Sequence, residues 1–125
     1  CPDCKGMAPA LARIEQEFGP KGLFLVTPTQ RYGYAKRGED ATPEQELAHI
    51  AEVRATAYAA VKHMPAPVDE ECFRTYGAST VPTIVLIDRK GIVRLYHPGQ
   101  MSYEELVPRI EEILRPLGRA ARASE

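Results

Sequence analysis

A chain of 125 residues with 44% hydrophobic and 26% charged side chains can bury one core and is too short for two ordinary domains. Its 16 basic and 17 acidic residues leave a net charge of −1, so no excess of positive charge points to nucleic acid or to an anionic membrane surface. No apolar run reaches the roughly 18 residues of a membrane-spanning helix, and no membrane contact is expected of this segment.

The chain opens Cys1-Pro2-Asp3-Cys4 and holds one further cysteine, Cys72. From Lys5 to Phe18 apolar residues fall at Met7, Leu11, Ile14 and Phe18, a spacing that lays one stripe along a helix ended by Gly19-Pro20-Lys21-Gly22. Leu23-Phe24-Leu25-Val26 is short, continuous and apolar, which predicts a strand covered on both faces of a sheet and closed by Pro28. Residues 27–40 are too polar for a core and rich in Tyr and Gly, which predicts an ordered loop beside a site, with Arg31-Tyr32-Gly33-Tyr34 and Lys36-Arg37 as a candidate partner surface. Thr42, Pro43 and Gln45 form a capping-box signature ahead of Leu47, Ile50, Val53, Ala57 and Val61, predicting a helix of about five turns. Met64-Pro65-Ala66-Pro67-Val68 is held extended by its prolines. A short helix over about Asp69 to Tyr76 stops at Gly77; Thr83–Ile87 and Ile92–Tyr96 form two strands joined by the tight turn Asp88-Arg89-Lys90-Gly91. Ser102 caps a last helix from Tyr103 to about Leu114, and the tail beyond Gly118 is expected to fray.

A Cys-x-x-Cys at a helix start is a redox arrangement. Unpaired N–H groups and the helix dipole stabilise a thiolate on the first Cys. The second, one turn further in, can attack a mixed disulfide formed on the first. Cys1 is therefore the candidate nucleophile and Cys4 the candidate resolving thiol, with Pro2 and Asp3 between them as tuning residues; an acidic Asp3 disfavours the neighbouring thiolate and pushes the pair toward the reductant side. Zinc needs about four ligands, and Cys72, His49, His63 and His97 supply no second closely spaced pair. Haem attachment wants His directly after the second Cys, where Lys5 stands. A purely structural disulfide would close too short a loop to stabilise much. No metal and no bound cofactor is expected beyond a redox-active Cys1–Cys4 disulfide.

Cys1 to Pro9, with a proline five residues past the second Cys, resembles the active-site helix of the thioredoxin-like superfamily, and Val81-Pro82-Thr83 before an apolar strand resembles that superfamily's cis-proline loop. The run from Tyr76 to Gly99 is similar to the TlpA/ResA-like branch, related to the redoxin and thiol-specific-antioxidant families. The resemblance implies a three-layer α/β/α thioredoxin-like fold over residues 1–118, with a mixed central sheet, a helical insertion over about 28–64 after the first βα unit, and a disordered tail over 119–125. It implies a thiol–disulfide oxidoreductase whose Thr80, Val81 and cis Pro82 bind an extended substrate segment. A protein disulfide, a separate thiol redox partner and a monomeric state go with it. The compartment it suggests is the bacterial periplasm or another extracytoplasmic space, with tethering to the membrane; cytoplasmic residence is the alternative.

The family also carries a central strand ending in an aromatic directly before the first Cys, which is expected upstream of Cys1. A truncated domain is the favoured reading of a chain that opens on Cys, and a lipid-bearing lipoprotein Cys the competing one. A buried acid that serves the resolving Cys in relatives would lie on that strand, leaving Glu39 or Glu44 as candidate substitutes, though solvated loop carboxylates are the plainer reading. A peroxiredoxin-type peroxidase would make Cys4 peroxidatic and want Thr or Ser where Cys1 stands. A thioredoxin-fold binding module with a merely structural pair is the non-enzymatic alternative. Cys72, beside Phe73 and Tyr76, reads as a buried inert thiol, with a second redox site as its competitor.

Overall fold

The computed structural model describes residues 1–115; the expected tail over 119–125 lies outside them. Helix α1 (Pro2–Phe18) starts with Pro2 at its first position, so Cys4 lies in its first turn and Cys1 stands at its cap. The other elements are α2 (Pro43–Thr56), α3 (Glu70–Tyr76), β1 (Thr83–Ile87), β2 (Val93–Pro98) and α4 (Tyr103–Leu114), with short 3-10 turns at Gly19–Lys21, Lys36–Gly38 and Ala59–Val61.

The hairpin pairs Ile84 with His97 and Leu86 with Leu95, antiparallel, and then skips Arg94, so that Ile87 faces Val93. That bulge releases Arg94 to meet Asp88 at 2.7 Å. The Asp88 carboxylate also accepts from the Lys90 and Ile92 amides at 2.8 and 3.0 Å, and the turn closes through Gly91 at φ 80°, a left-handed conformation that glycine adopts without strain. Three groups bound to one carboxylate hold it well below the ordinary Asp range, the Ile92 amide contributing most.

The α/β class is as expected; the sheet is smaller. Among the described residues it has two strands, β1 and β2, where a mixed central sheet was anticipated. Leu23–Val26 runs extended without a strand partner, and Phe24 is 75% exposed rather than covered. Backbone pairing begins only at its end, where the Thr27 and Thr29 amides donate to the Pro65 and Pro67 carbonyls and the Asp69 amide donates to Thr29, each at 2.8–2.9 Å. The contact is a single parallel bridge, Thr29 with Val68. In that register the intervening rung would be given by residue 67, and Pro67 has no proton to give.

The main core gathers Met7, Ile14 and Phe18 of α1, Leu106 and Ile110 of α4, and Met101, with Leu25, Ile84, Leu86 and Leu95 packed against it. A smaller cluster on another side of α1 joins Ala8 to Val61 and Met64, with Leu11, Ala12, Leu25 and Tyr58 around it. The capping box of α2 is present, Thr42 and Gln45 each bonding the other's backbone. The helix is shorter than its apolar spacing predicted, however. It ends at Thr56, and Val61 sits in a separate 3-10 turn.

Candidate active site at the start of the first helix

Cys1 is the N-cap of α1, and its Sγ accepts the Cys4 amide N–H at 3.2 Å, the role a Ser or Asp oxygen plays in other caps. A sulfur in that position faces unpaired amides and the positive end of the dipole, which favours its anionic form. Both cysteines are free thiols. The Cys4 Sγ lies 2.7 Å from Cys1 Sγ, and Cys1 Sγ also lies 3.6 Å from the Val81 carbonyl. Cys1 is exposed and Cys4 is half-buried. An attacker from solution meets Cys1 first.

Burial pushes the Cys4 thiol above its ordinary range, and the Asp3 carboxylate adds to that in the same direction. Pro2 and Asp3 are themselves exposed. On the facing segment the Val81–Pro82 peptide bond is cis. Thr83 Oγ1 donates to the Thr80 carbonyl at 2.7 Å and the Gly99 amide donates to the Pro82 carbonyl at 2.8 Å, pinning the turn from both sides. Val81 is exposed, and among the described residues no backbone partner engages its N–H. Residues 80 apart in sequence thus meet at one surface.

Two residues, Tyr58 and Glu46, had no signal in the apolar spacing. Tyr58 lies off the stripe through Val53 and Ala57, but α2 ends at Thr56 and the non-helical backbone of Tyr58 (φ −112°, ψ 27°) belongs to a new turn. Its ring joins the Ala8–Met64 cluster, one helical turn beyond Cys4. Burial, and then the charge of Cys4, hold the Tyr58 phenol above its ordinary range. Glu46 is the buried acid of the insertion, but it accepts from the Tyr32 and Gly33 amides rather than facing a thiol. Glu39 and Glu44 are exposed. Cys72 is half-buried on α3, its amide on the Asp69 cap. His63 contacts Glu15 and His97 lies on β2. No group of three His, Cys, Asp or Glu is placed to hold a metal ion among the described residues.

A dithiol at a helix N-terminus, opposed by a cis-proline turn in an α/β fold, defines the class of thiol–disulfide redox domains. The chain belongs to the thioredoxin-like domain family, whose match spans residues 1–114. Among curated proteins no sequence matches. Among solved structures the chain is similar to the pneumococcal exposed lipoprotein thioredoxin of Streptococcus pneumoniae, at 24% identity and a TM-score of 0.65, over 90% of this chain and 76% of that one.

Proposed function

We propose that this domain is a thiol–disulfide oxidoreductase of the TlpA/ResA-like kind that reduces or exchanges disulfides of a protein partner through Cys1 and Cys4. One observation carries the reading: Cys1 Sγ caps the helix, accepts the Cys4 amide, and lies within 3.6 Å of Val81 and 2.7 Å of the Cys4 sulfur. The exposed Cys1 thiolate attacks a substrate disulfide. A Cys1–substrate bond forms, the substrate S–S bond breaks, and one substrate sulfur leaves as a thiolate that takes up a proton. Cys4 then loses its proton, attacks Cys1 Sγ, and expels the second substrate thiolate. The substrate gains two electrons and the protein is left with a Cys1–Cys4 disulfide, which an external thiol partner reduces again.

The exposed Val81 backbone, between Thr80 and Pro82, pairs with the extended substrate segment and holds its sulfur in line with Cys1. The chemistry needs no bound cofactor or metal, and the domain acts as a monomer. The helical segment between residues 28 and 64 supports the TlpA/ResA-like assignment. The structurally similar pneumococcal protein is an exposed lipoprotein, which supports an extracytoplasmic setting; no helix among the described residues is long and apolar enough to cross a membrane.

The test is disulfide reduction by wild type, Cys1→Ser and Cys4→Ser, with peroxide turnover measured in parallel. Cys1→Ser should abolish disulfide reduction, and Cys4→Ser should accumulate a mixed disulfide through Cys1 that mass spectrometry identifies. Activity that survives both substitutions, or peroxide turnover that depends on Cys4 alone, would overturn the assignment.

A further inference from the structure

At the start of α1, Pro2, Asp3, Lys5 and Gly6 are exposed, and Cys4 alone among them is half-buried. Its face of the helix continues through Ala8, Leu11 and Ala12, a spacing that forms one stripe. The stripe packs on the inserted segment, where Val61 and Met64 are buried with Ala8, and Leu11, Ala12 and Tyr58 close around them. Helical Cβ atoms tilt toward the N-terminus, so the neighbours of Ala8 border the turn that leads back to Cys4. Tyr58 is the one aromatic ring in that cluster. Its phenol senses the charge of Cys4, which places the two side chains within electrostatic reach of each other.

The backbone holds Tyr58 from both sides. Its amide donates to the Val53 carbonyl at 3.2 Å, closing the end of α2, and its carbonyl accepts from the Val61 amide at 2.9 Å, opening the next turn. The Met64 amide donates to Val61 at 3.0 Å, and Arg54 Nη2 donates to the Met64 carbonyl. A ring mounted on a turn bonded in this way has little freedom to swing aside. The charged and titratable groups that face Cys4 are few. On its own helix Asp3 opposes the thiolate and the amino group of Cys1 favours it, with Cys1 Sγ 2.7 Å away. The cis-proline segment brings Thr80, Val81 and Pro82, none of which titrates. The insertion brings Tyr58, which is uncharged at neutral pH. What Tyr58 does to Cys4 is therefore to exclude water, and loss of water is the largest cause that pushes this thiol up.

We infer that Tyr58 is a positioning residue for the second step of disulfide exchange: its ring closes the inner side of Cys4, withholds water from that sulfur and slows its attack on the mixed disulfide. The inference rests on the oxidoreductase reading above and deepens it. A substrate disulfide then meets one nucleophile, Cys1, rather than two. The mixed disulfide lasts until the Cys4 thiol gives its proton to water. Cys4 Sγ then bonds Cys1 Sγ, the bond from Cys1 to the substrate breaks, and the substrate sulfur leaves with the electron pair and takes up a proton.

The experiment reads the two steps separately. In a Cys72→Ser background, dithiobis(nitrobenzoate) is mixed with an equal amount of reduced protein; attack by Cys1 releases one coloured thiolate, and attack by Cys4 releases the other. Tyr58→Ala should leave the first phase within about 2-fold and speed the second about 3-fold at neutral pH, since a tenfold gain in thiolate is partly offset by its lower nucleophilicity. The pH midpoint of the second phase should fall. Tyr58→Phe, which keeps the ring and drops the hydroxyl, should match the parent in both phases. Tyr58→Gln, which keeps the reach of the side chain but wets the wall, should repeat the effect of Tyr58→Ala if that truncation unfolds the turn. A second phase unchanged in both Tyr58→Ala and Tyr58→Gln, an equal change in both phases, or a Tyr58→Phe variant that behaves like Tyr58→Ala would overturn the role of the ring. A first phase that survives Cys1→Ser would overturn the oxidoreductase reading instead.

Discussion

The side of α1 that carries Met7, Ile14 and Phe18 and the side that carries Ala8 meet different neighbours. On the first, large apolar side chains from α4 and the hairpin close over the helix, and Ile14 and Ile110 are almost entirely removed from water. On the second, the segment from Thr27 to Met64 contributes only Val61 and Met64 as buried hydrophobics. The one buried residue of α2 is an acid, Glu46, and Leu47 on its expected apolar stripe is 44% exposed. That segment is held by polar contacts: the capping box, the Glu46 bonds to the loop, and Arg54 Nη2 donating to the Met64 carbonyl. The contrast teaches a division of labour. Apolar burial around α1 and α4 stabilises the fold and fixes the helix that carries the thiols, while the inserted segment, held by directional bonds, shapes the surface beside them.

The largest effect should come from the apolar side. Ile14→Ala removes a fully buried side chain between α1 and α4 and should cost about 4 kcal/mol in urea unfolding; a cost below 1 kcal/mol would break the comparison. Glu46→Ala strands two amides and should cost about 2 kcal/mol, visible as faster hydrogen exchange at Tyr32 and Gly33 while the amides of α4 keep their protection. Thr42→Ala removes the cap of α2 and should cost about 1 kcal/mol, again local to the insertion by exchange. The smallest effect, on the thiol itself, sharpens where the two regions meet. In a Cys1→Ser background, the pH midpoint for alkylation of Cys4 should fall in Tyr58→Ala, because the thiol regains water. It should also fall in Asp3→Asn, because a charge that opposes the thiolate is gone. An unchanged midpoint in Tyr58→Ala would show that the insertion does not shield the resolving thiol.

Most helices and the hairpin were legible because their signals are local. The stripe of α1, the Thr42–Gln45 box, the Ser102 cap and the Asp88–Gly91 turn each lie within a few residues of the structure they specify. Leu23–Val26 was misread because an apolar run states only that a strand is possible. Pairing depends on what lies alongside, and here the neighbour offers Pro65 and Pro67. The reach of α2 was overread for a related cause. Apolar spacing continues through Val61, but a turn at Tyr58 breaks the helix and carries a tyrosine toward Cys4.

What the sequence determined by itself was the chemistry on offer: a Cys pair spaced one helical turn apart at a helix start, and a Val-Pro-Thr segment leading into a strand. Only the tertiary structure decided that Val81 stands beside Cys1, that Tyr58 packs beyond Cys4, and that a buried Glu46 holds the Tyr32 and Gly33 amides. The physical reason is range. Helix caps and turns are set by bonds between residues three or four apart, whereas contacts across 80 residues depend on how every intervening element packs, and no local pattern records that.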